Sequence, residues 1–395
     1  MNIMTHLAVI VFWLCCSLLC YTYFVYPSIL FVCYAFVQLC SDLRFLLGRR
    51  ERRVTPVGSN DIPGISFVIA AYNEERNLAA KLTNLRQMTY PAEKLQIIFV
   101  SDGSTDGTNK LLESVSDAFV ETIFRPERSG KPLALNCGVE HARYDILVFS
   151  DASTLFAPEA IANMVRHFRD PRIGAVCGSL QLLGNDESER TEGTYWQFER
   201  VLRLMESRLG ATVNASGAIY ALRRKCFVPL VAGDLLDDLL IPMKARKLGY
   251  KVMEDPEAGA TDCSADTVKG EFTRRTRIAV GSFRALRRMD FAALRGFTGF
   301  AFVSHKLLRW LLPFFLIFML VSNAFLMRKS FYGAAFVAQA AFYLWASLGF
   351  LFHKRMKQTR IVLLPYFLLT VHLAFLVGFW RCCFGEYQAT WERVS

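Results

Sequence analysis

Four long apolar runs constrain the fold of this chain more than any other feature. They cover residues 7–37, 307–327, 331–352 and 361–380. Each is close to or above the roughly 20 residues that an α-helix needs to cross a bilayer. None carries the polar stripe expected of a helix at the edge of a soluble core. The sequence therefore predicts one membrane helix before and three after a long polar region. The first run is expected to stay as an anchor, because it lacks a basic leader and is longer than a signal core.

The distribution of Lys and Arg predicts the orientation of these helices. No Lys or Arg precedes Leu7, whereas the stretch "RFLLGRRERR" follows the first run from Arg44. Basic loops stay on the cytoplasmic side of a membrane, which places the middle region in the cytoplasm and both chain ends outside. The loop "HKRMKQTR" from His353 is also basic and falls on the cytoplasmic side after four crossings. We therefore predict an integral protein of the cell (inner) membrane.

Composition narrows the possible partners. The net charge is +11, and many basic residues interleave with apolar ones within 269–303, directly before a membrane run. This pattern is typical of amphipathic helices on an anionic lipid surface, so we expect membrane lipids as partners and no nucleic acid. The middle region has no C-x-x-C pair and the chain has no H-E-x-x-H motif. Neither a zinc site nor a disulfide framework is indicated.

The middle region, residues 54–268, alternates strand-like and helix-like stretches. Its short apolar runs end in polar turns, and helical patterns separate them. The predicted strands are residues 65–72, 95–102, 121–125 and 145–152. Such alternation predicts a parallel sheet covered by helices, which binds ligands beyond the carboxyl ends of its strands. Polar side chains that follow these strands should therefore converge. Taken alone, "SDGSTDG" from Ser101 could equally be a helix-capping turn.

Several motifs in a fixed order add specificity to this pattern. They are "YNEE" from Tyr72, "SDGSTDG", "SGKPLALN" from Ser129, "ILVFSDASTL" from Ile146 and "GDLLDDLLIP" from Gly233. With these motifs the chain resembles the family 2 inverting glycosyltransferases of the GT-A fold, the group of hyaluronan, cellulose and poly-N-acetylglucosamine synthases. The resemblance covers nearly the whole chain. It implies an α/β GT-A domain, a Rossmann-like mixed sheet with helices on both faces, joined to transmembrane helices and amphipathic interface helices.

The resemblance also implies an activity and its residues. The activity would move a sugar from a nucleoside diphosphate sugar, such as a UDP-sugar, to a hydroxyl of a growing exopolysaccharide or glycan. The catalytic base would be Asp238, beside Asp237. The nucleotide sugar would be held by Ala71, Tyr72, Glu74, Asp102, Lys131, Asp151, Arg274 and Arg277. The acceptor would lie beside Asn214, Ser216 and Gly217. A different interpretation of "DLLDDLL" is an acidic first turn of a helix.

The metal site departs from the family pattern. Asp151 matches the first acid of the D-x-D motif, and Ser153 stands in the place of the second. Mg²⁺ or Mn²⁺ would bridge the donor phosphates and stabilise the leaving group. Mg²⁺ needs only one or two carboxylates beside substrate phosphates, so Ser153 is compatible with a metal that it contacts through water. The alternative is a metal-independent site, in which Asp151 contacts the sugar and the cations of Lys131, Arg274 and Arg277 neutralise the phosphates.

A second departure concerns the acceptor. The segment "RRTRI" from Arg274 falls where processive members carry Q-x-x-R-W, so Arg277 matches while Ile278 replaces the Trp. Isoleucine cannot offer an acceptor sugar a stacking face, which puts processive extrusion in doubt, and four crossings call for an export partner or a homo-oligomer. One alternative is transfer of a single sugar to a lipid acceptor, either a polyprenyl phosphate or a sphingolipid-like molecule. Another is a non-catalytic nucleotide-sugar sensor.

Overall fold

The structure is a computed structural model that describes residues 3–48, 62–183, 187–263, 268–352 and 360–385. The basic residues at 49–53, the predicted start of the middle region at 54, and most of the basic loop from His353 lie outside the described residues.

The middle region contains one eight-stranded sheet. Its strands are β1 Ile65–Ala71, β2 Leu95–Asp102, β3 Val120–Arg125, β4 Ile146–Asp151, β5 Leu155–Phe156, β6 Ile173–Leu183, β7 Ile219–Arg223 and β8 Lys251–Cys263. They are ordered β3-β2-β1-β4-β7-β6-β8-β5 across the sheet. The four predicted strands correspond to β1 to β4 and are confirmed to within one residue at each end.

The sheet has a parallel half and a mixed half. Strands β3, β2, β1 and β4 run parallel, and Ile65 pairs in register with both Leu95 and Ile146. Strand β7 then runs antiparallel to β4. Every residue of β1 and β2 is buried, as expected for parallel strands covered on both faces. The shared register aligns the carboxyl ends of β1, β2 and β4 along one edge.

Helices cover both faces of this sheet. They are α3 Glu75–Arg86, α4 Thr108–Glu113, α5 Lys131–Glu140, α6 Ala160–Val165, α7 Glu187–Arg208 and α8 Asp237–Lys247. On one face, Leu78 of α3 and Ile161 of α6 join a core with Phe67. On the other, Leu135 of α5 and Ile241 of α8 pack with Val68. Because Phe67 and Val68 are neighbours on β1, their side chains point to opposite faces. The predicted mixed sheet with helices on both faces is confirmed.

The remaining α-helices lie before and after the sheet region. They are α1 Ile3–Cys20, α2 Tyr26–Leu46, α9 Val268–Arg288, α10 Phe297–Ala301, α11 Leu308–Leu326, α12 Ser330–Phe352 and α13 Arg360–Phe384. Four segments of the described chain are long and apolar enough to cross a bilayer: Ile3–Leu46, Phe297–Leu326, Ser330–Leu348 and Pro365–Phe384. The chain is therefore a membrane protein, with one span before and three after the sheet.

The segment before the second span differs from the predicted bounds of the interface helices. Only α9 is a long separate helix, whereas α10 continues through a π-helical turn at Phe302–Leu307 into α11. His305 and Lys306 lie within this π-helical turn, and the buried ring of His305 has its Nδ1 2.6 Å from Glu206 Oε1. Helix α9 packs on α13, where a Cβ added to Gly378 would lie 2.4 Å from the Cβ of Ala279.

Candidate active site

The turns that follow β1 and β2 are tied together at the aligned edge of the sheet. Asn73 adopts a positive φ of 53°, which is uncommon for a residue other than glycine. Its side-chain oxygen accepts from the backbone N–H of Thr105 at 2.8 Å, and its own N–H donates to Ser104 Oγ at 3.2 Å. The next residue, Glu74, is buried, and its N–H donates to Thr108 Oγ1. These contacts hold two of the predicted nucleotide-binding motifs at a fixed separation.

Asp102 ends β2 and supports the loop that leads to Lys131. Its side chain accepts from the Ser129 hydroxyl at 2.8 Å and from the Gly130 N–H at 2.6 Å. Gly130 has a φ of 95°, a conformation that favours glycine over residues with a Cβ. Asp102 is only 3% exposed. Through these hydrogen bonds its carboxylate stabilises the loop conformation, independently of any contact with a ligand.

Tyr72 and Ala71 stand at the end of β1. The guanidinium carbon of Arg128 lies 3.8 Å from the ring centroid of Tyr72, within the range of a cation–π interaction. Ala71 is only 1% exposed.

Lys131, the first residue of α5, lies between two carboxylates. Its Nζ donates to Asp151 Oδ1 at 2.7 Å and lies 3.8 Å from Asp237 Oδ1. Burial alone would lower the pKa of this ammonium group, but the charges of Asp151 and Asp237 outweigh burial and raise it. Lys131 is thus a permanent cation between the end of β4 and the start of α8.

Asp237 and Asp238 open α8, and their environments differ. Asp237 is buried and accepts from the Tyr220 hydroxyl at 3.3 Å; burial raises the pKa of its carboxyl group. Asp238 is partly exposed. Desolvation by the surrounding protein and the adjacent Asp237 charge nevertheless raise its pKa to about 7. A carboxylate with a pKa near the working pH is suited to accept a proton as a general base.

The predicted acceptor segment lies against Asp238. The N–H of Ala215 donates to the backbone oxygen of Asp238 at 2.7 Å. A Cβ added to Gly217 would lie 3.5 Å from the Cβ of Asp238. Because Gly217 has no side chain, the surface next to Asp238 stays open.

A further carboxylate lies beside the position where the D-x-D motif has Ser153. The hydroxyl groups of Ser153 and Thr154 donate to Asp262 Oδ2 at 3.2 and 2.9 Å, and Asp262 lies near the end of β8. Carboxylate and hydroxyl oxygens are hard ligands of the kind that Mg²⁺ and Mn²⁺ prefer. Among the described residues no three His, Cys, Asp or Glu side chains cluster as a complete metal cage. Asp151, Ser153 and Asp262 would supply oxygen ligands of this kind to a divalent ion, and substrate phosphates would have to supply others.

Lys81 of α3 lies directly under this turn and is fully buried. Its Nζ donates to Ser150 Oγ at 2.8 Å and to the backbone oxygen of Thr154. Desolvation lowers the pKa of this ammonium group to about 7, against the opposing effect of Asp151 and Asp262. Sequence reasoning missed Lys81 and Asp262. The available signal for Lys81 was a lysine at a core position of an apolar helical pattern that includes Leu78.

Most of the predicted site residues line one cavity of about 450 Å³. Its lining includes Lys131, Asp151, Asn214, Ser216, Gly217, Asp237, Asp238, Asp262, Arg274 and Arg277. The predicted site residues Ala71, Tyr72, Glu74, Asp102 and Ser153 are not among the described residues that line it. The first four lie at the neighbouring strand ends and Ser153 lies in the turn after β4. The predicted site therefore divides into an edge of turns and a deep cavity.

Comparison with known proteins agrees with this arrangement. Residues 66–228 match the family model described as glycosyl transferase family 2. This part of the chain is a glycosyl transferase family 2 domain. The match begins in β1 and ends just after β7, so the family 2 domain contains Lys131, Asp151 and the segment at Gly217. The paired acids that open α8 lie beyond it.

Curated relatives extend the likeness beyond the family 2 domain. The chain is 26% identical over 264 residues to the poly-beta-1,6-N-acetyl-D-glucosamine synthase of Staphylococcus aureus (strain COL), covering 64% of this chain and 62% of the relative. It is 25% identical over 262 residues to the enzyme of the same name from Staphylococcus epidermidis, covering 65% of this chain and 61% of the relative. The chain thus spans a little over three fifths of the length of these relatives.

A solved structure confirms the predicted fold class. The mannosyltransferase PcManGT from Pyrobaculum calidifontis, in complex with GDP-Man and Mn²⁺, superposes with a TM-score of 0.68 at 21% identity. The superposition covers 95% of this chain and 100% of that one. The chain therefore combines a GT-A domain with membrane helices, as the sequence predicts.

Proposed function

We propose that the chain is a membrane-bound inverting glycosyltransferase that moves a sugar from a nucleoside diphosphate sugar to a hydroxyl of a growing exopolysaccharide or glycan. The observation that carries this proposal is the meeting of Lys131, Asp151 and Asp238 in one cavity. The likeness to two poly-beta-1,6-N-acetyl-D-glucosamine synthases supports a polysaccharide product.

The donor is proposed to bind between the edge of turns and the cavity. The turns at Tyr72, Glu74 and Asp102 would hold the nucleoside, and the cations of Lys131 and Arg277 would face the diphosphate. A bound Mg²⁺ or Mn²⁺ would stabilise the negative charge that develops on the leaving diphosphate. Asp151 and Asp262 would hold this ion, while Lys81 fixes the turn between them.

The transfer is proposed to be a single displacement. Asp238 would accept the proton of an acceptor hydroxyl as that oxygen forms a bond to the anomeric carbon. The bond from the anomeric carbon to the diphosphate breaks, the nucleoside diphosphate leaves with the electron pair, and the configuration inverts. Asp237, held by Tyr220 and close to Lys131, would raise the pKa of Asp238 and keep α8 in place. Gly217 and its neighbours Asn214 and Ser216 would leave room for the acceptor.

The proposed location is the cell membrane, with the family 2 domain on the cytoplasmic side. The support is the basic residue cluster that follows the first span and the basic loop that precedes the last one. Reporter fusions after Ser330 should report the outer side, and fusions within residues 353–359 should report the cytoplasm. The opposite pattern would contradict the proposed orientation. An export partner or a homo-oligomer would be needed if the product is a long polymer.

The proposed activity can be tested on the full chain in lipid nanodiscs. The protein is incubated with Mn²⁺ and a panel of labelled UDP-sugars and GDP-mannose, and the products are separated by size and by partition into organic solvent. We expect one donor to be consumed by the natural protein and not by Asp238→Asn. Binding of a nucleotide sugar without transfer by either protein would instead favour a sensor. Transfer that is unchanged in Asp238→Asn would contradict the assignment of the base.

A further inference from the structure

Helix α9 lies between the acidic start of α8 and the last membrane span. It is outside the four candidate spans of the described chain. Phe283 of α9 packs in one buried cluster with Leu239 of α8. Its ring also lies edge-on to the rings of Phe375 and Phe379 on α13, with centroids 6.4 and 5.3 Å apart. Helix α9 therefore contacts both the last span and the helix that begins with Asp237 and Asp238.

Two opposite faces of α9 make close contacts. On the span side, a Cβ added to Gly378 of α13 would lie 2.4 Å from the Cβ of Ala279. On the other side, a Cβ added to Gly281 would lie 2.9 Å from both Leu235 Cβ and Leu236 Cγ. Successive residues of an α-helix are about 100° apart around its axis, so Ala279 and Gly281 are about 200° apart. A shift of α9 away from one neighbour would therefore press it against the other.

The segment that Gly281 contacts leads directly into the two acids. Leu236 is the last residue before α8, and its backbone oxygen accepts from the N–H groups of Leu239 and Leu240 at 3.2 and 3.1 Å. These hydrogen bonds join Leu236 to the first turn of the helix. A displacement of Leu236 would therefore displace Asp238.

Arg288 holds the same segment from the end of α9. It follows Gly281 by seven residues, and residues at this spacing lie on one face of a helix. Its guanidinium group pairs with Oδ1 of the buried Asp234. Asp234 Oδ2 in turn accepts from the N–H of Val231 at 2.9 Å. One face of α9 thus contacts the segment before α8 at two points, Gly281 and Arg288.

The start of this segment is attached elsewhere. Asn136 of α5 donates through Nδ2 to the backbone oxygen of Leu230 at 2.7 Å, and its Oδ1 accepts from the Leu230 N–H at 2.9 Å. Helix α5 begins with Lys131. Residues 230–236 are therefore held at their start by α5 and at their end by α9. A substitution in α9 would disturb the second attachment and leave the first in place.

We propose that Gly281 and Arg288 are positioning residues that set the location of Asp238. This proposal rests on the proposed glycosyltransferase function. Neither residue would touch the substrate. The absence of a side chain at Gly281 lets α9 and the segment before α8 approach closely, and Arg288 holds the segment in that place. Because α13 supports α9 from behind, a methyl group added to Gly281 would displace the segment rather than α9.

The geometry of proton transfer makes such a displacement costly. A general base must come within about 2.6–3.2 Å of the hydroxyl group that it deprotonates. A displacement of about 1 Å can cost on the order of 10²-fold in rate. The turns proposed to hold the nucleoside make their contacts with one another after β1 and β2. We therefore expect substitutions at Gly281 and Arg288 to lower turnover and to leave nucleotide affinity unchanged.

The test uses the full chain in lipid nanodiscs. The kcat is measured with the labelled UDP-sugar or GDP-mannose that the natural protein consumes, and calorimetry with UDP or GDP and Mn²⁺ gives the affinity and the number of nucleotide sites. Gly281→Ala should lower kcat by about 100-fold. Arg288→Gln should lower it by a smaller factor, about 10-fold, because Asp234 keeps its bond to Val231. Arg288→Lys should recover part of that loss. The affinity and the number of sites should stay unchanged in all three variants.

The matched control is Arg287→Gln, which removes an equal charge from the exposed neighbouring position. It should leave kcat unchanged. Because Arg288 and Asp234 form one pair, adding Asp234→Asn to Arg288→Gln should cost less than the sum of the two separate effects. If Gly281→Ala does not fold, the three substitutions of this pair decide the question.

Two results would overturn the positioning role. One is an unchanged kcat in both Gly281→Ala and Arg288→Gln. The other is a loss of nucleotide sites in proportion to the loss of activity, since that would show fewer folded molecules rather than a misplaced base. If the natural protein binds UDP or GDP but consumes no labelled sugar, the proposed function itself is wrong. If the natural protein and both variants transfer sugar at the same rate, only the present inference fails.

Discussion

The proposed donor edge and the proposed acceptor end of the molecule are built in different ways. The donor edge is made by the ends of β1, β2 and β4, which lie within 65–154 and are linked by hydrogen bonds between adjacent turns, such as those of Asn73. The acceptor end combines α7, α8, α9 and the membrane helices α11 and α13. The first region consists of turns that are close together in the sequence, and the shared register of β1, β2 and β4 aligns them. The second depends on how distant segments pack around one cavity, and Lys131 links the two regions through Asp151 and Asp237.

This difference predicts that a substitution can impair sugar transfer without impairing nucleotide binding. The effect should be strongest at Asp238. Asp238→Asn removes the proposed base while the turns at the donor edge stay intact. Turnover should fall by roughly 10²- to 10⁴-fold, the usual contribution of general acid–base groups, and affinity for the donor nucleotide should change little. Transfer of labelled sugar and calorimetry with UDP and Mn²⁺ measure the two effects. A large loss of nucleotide affinity would show that the two regions are not independent.

At the donor edge, Asp151→Asn should damage binding and turnover together. If Asp151 holds a divalent ion, the variant loses part of the metal-dependent nucleotide affinity and about 10²-fold in turnover, because such an ion supplies several kcal/mol of charge stabilisation. Ser153→Ala is the control and should cost less, and Ser153→Asp should be tolerated. Full activity of the natural protein in excess EDTA, with Asp151→Asn still inactive, would contradict the metal role and assign Asp151 to the substrate.

The strand ends of the proposed donor edge could be predicted from the sequence more easily than the contacts of the proposed acceptor end, for a physical reason. Strand ends and turns are specified by local patterns, so Lys131 and Asp151 could be proposed as site residues from short motifs. Asp262 reaches Ser153 only because β5 pairs with β8, far apart along the chain. Similarly, Arg203 and Lys306 lie near Asp238 only because α7 and the second membrane span pack around one cavity. No short pattern in the chain encodes those contacts.

The coupling between the two acids of α8 predicts a pH effect. Asp238 acts as a base only when deprotonated, so activity should rise with pH through its pKa of about 7. The Asp237 charge is one cause of that high pKa. Asp237→Asn removes it and should move the rising limb of kcat/KM to lower pH by roughly one unit. Asp237→Glu, which keeps the charge, is the control. If the rising limb of kcat/KM stays at the same pH in Asp237→Asn, the group that titrates near neutral pH is not Asp238.

The smallest expected effect is that of a methyl group at the acceptor end. In Gly217→Ala the added Cβ would lie 3.5 Å from the Cβ of Asp238, at ordinary van der Waals distance, so the fold should accept it. The methyl group nevertheless takes up space beside the proposed base, and we expect a few-fold rise in the acceptor KM with unchanged affinity for UDP. Gly259→Ala is the matched control, because its Cβ would meet only Ala157, at 3.8 Å and outside the cavity lining. Equal effects of the two substitutions would indicate a general loss of stability. If Gly217→Ala changes the donor affinity and Gly259→Ala does not, Gly217 belongs to the donor edge and not to the acceptor end.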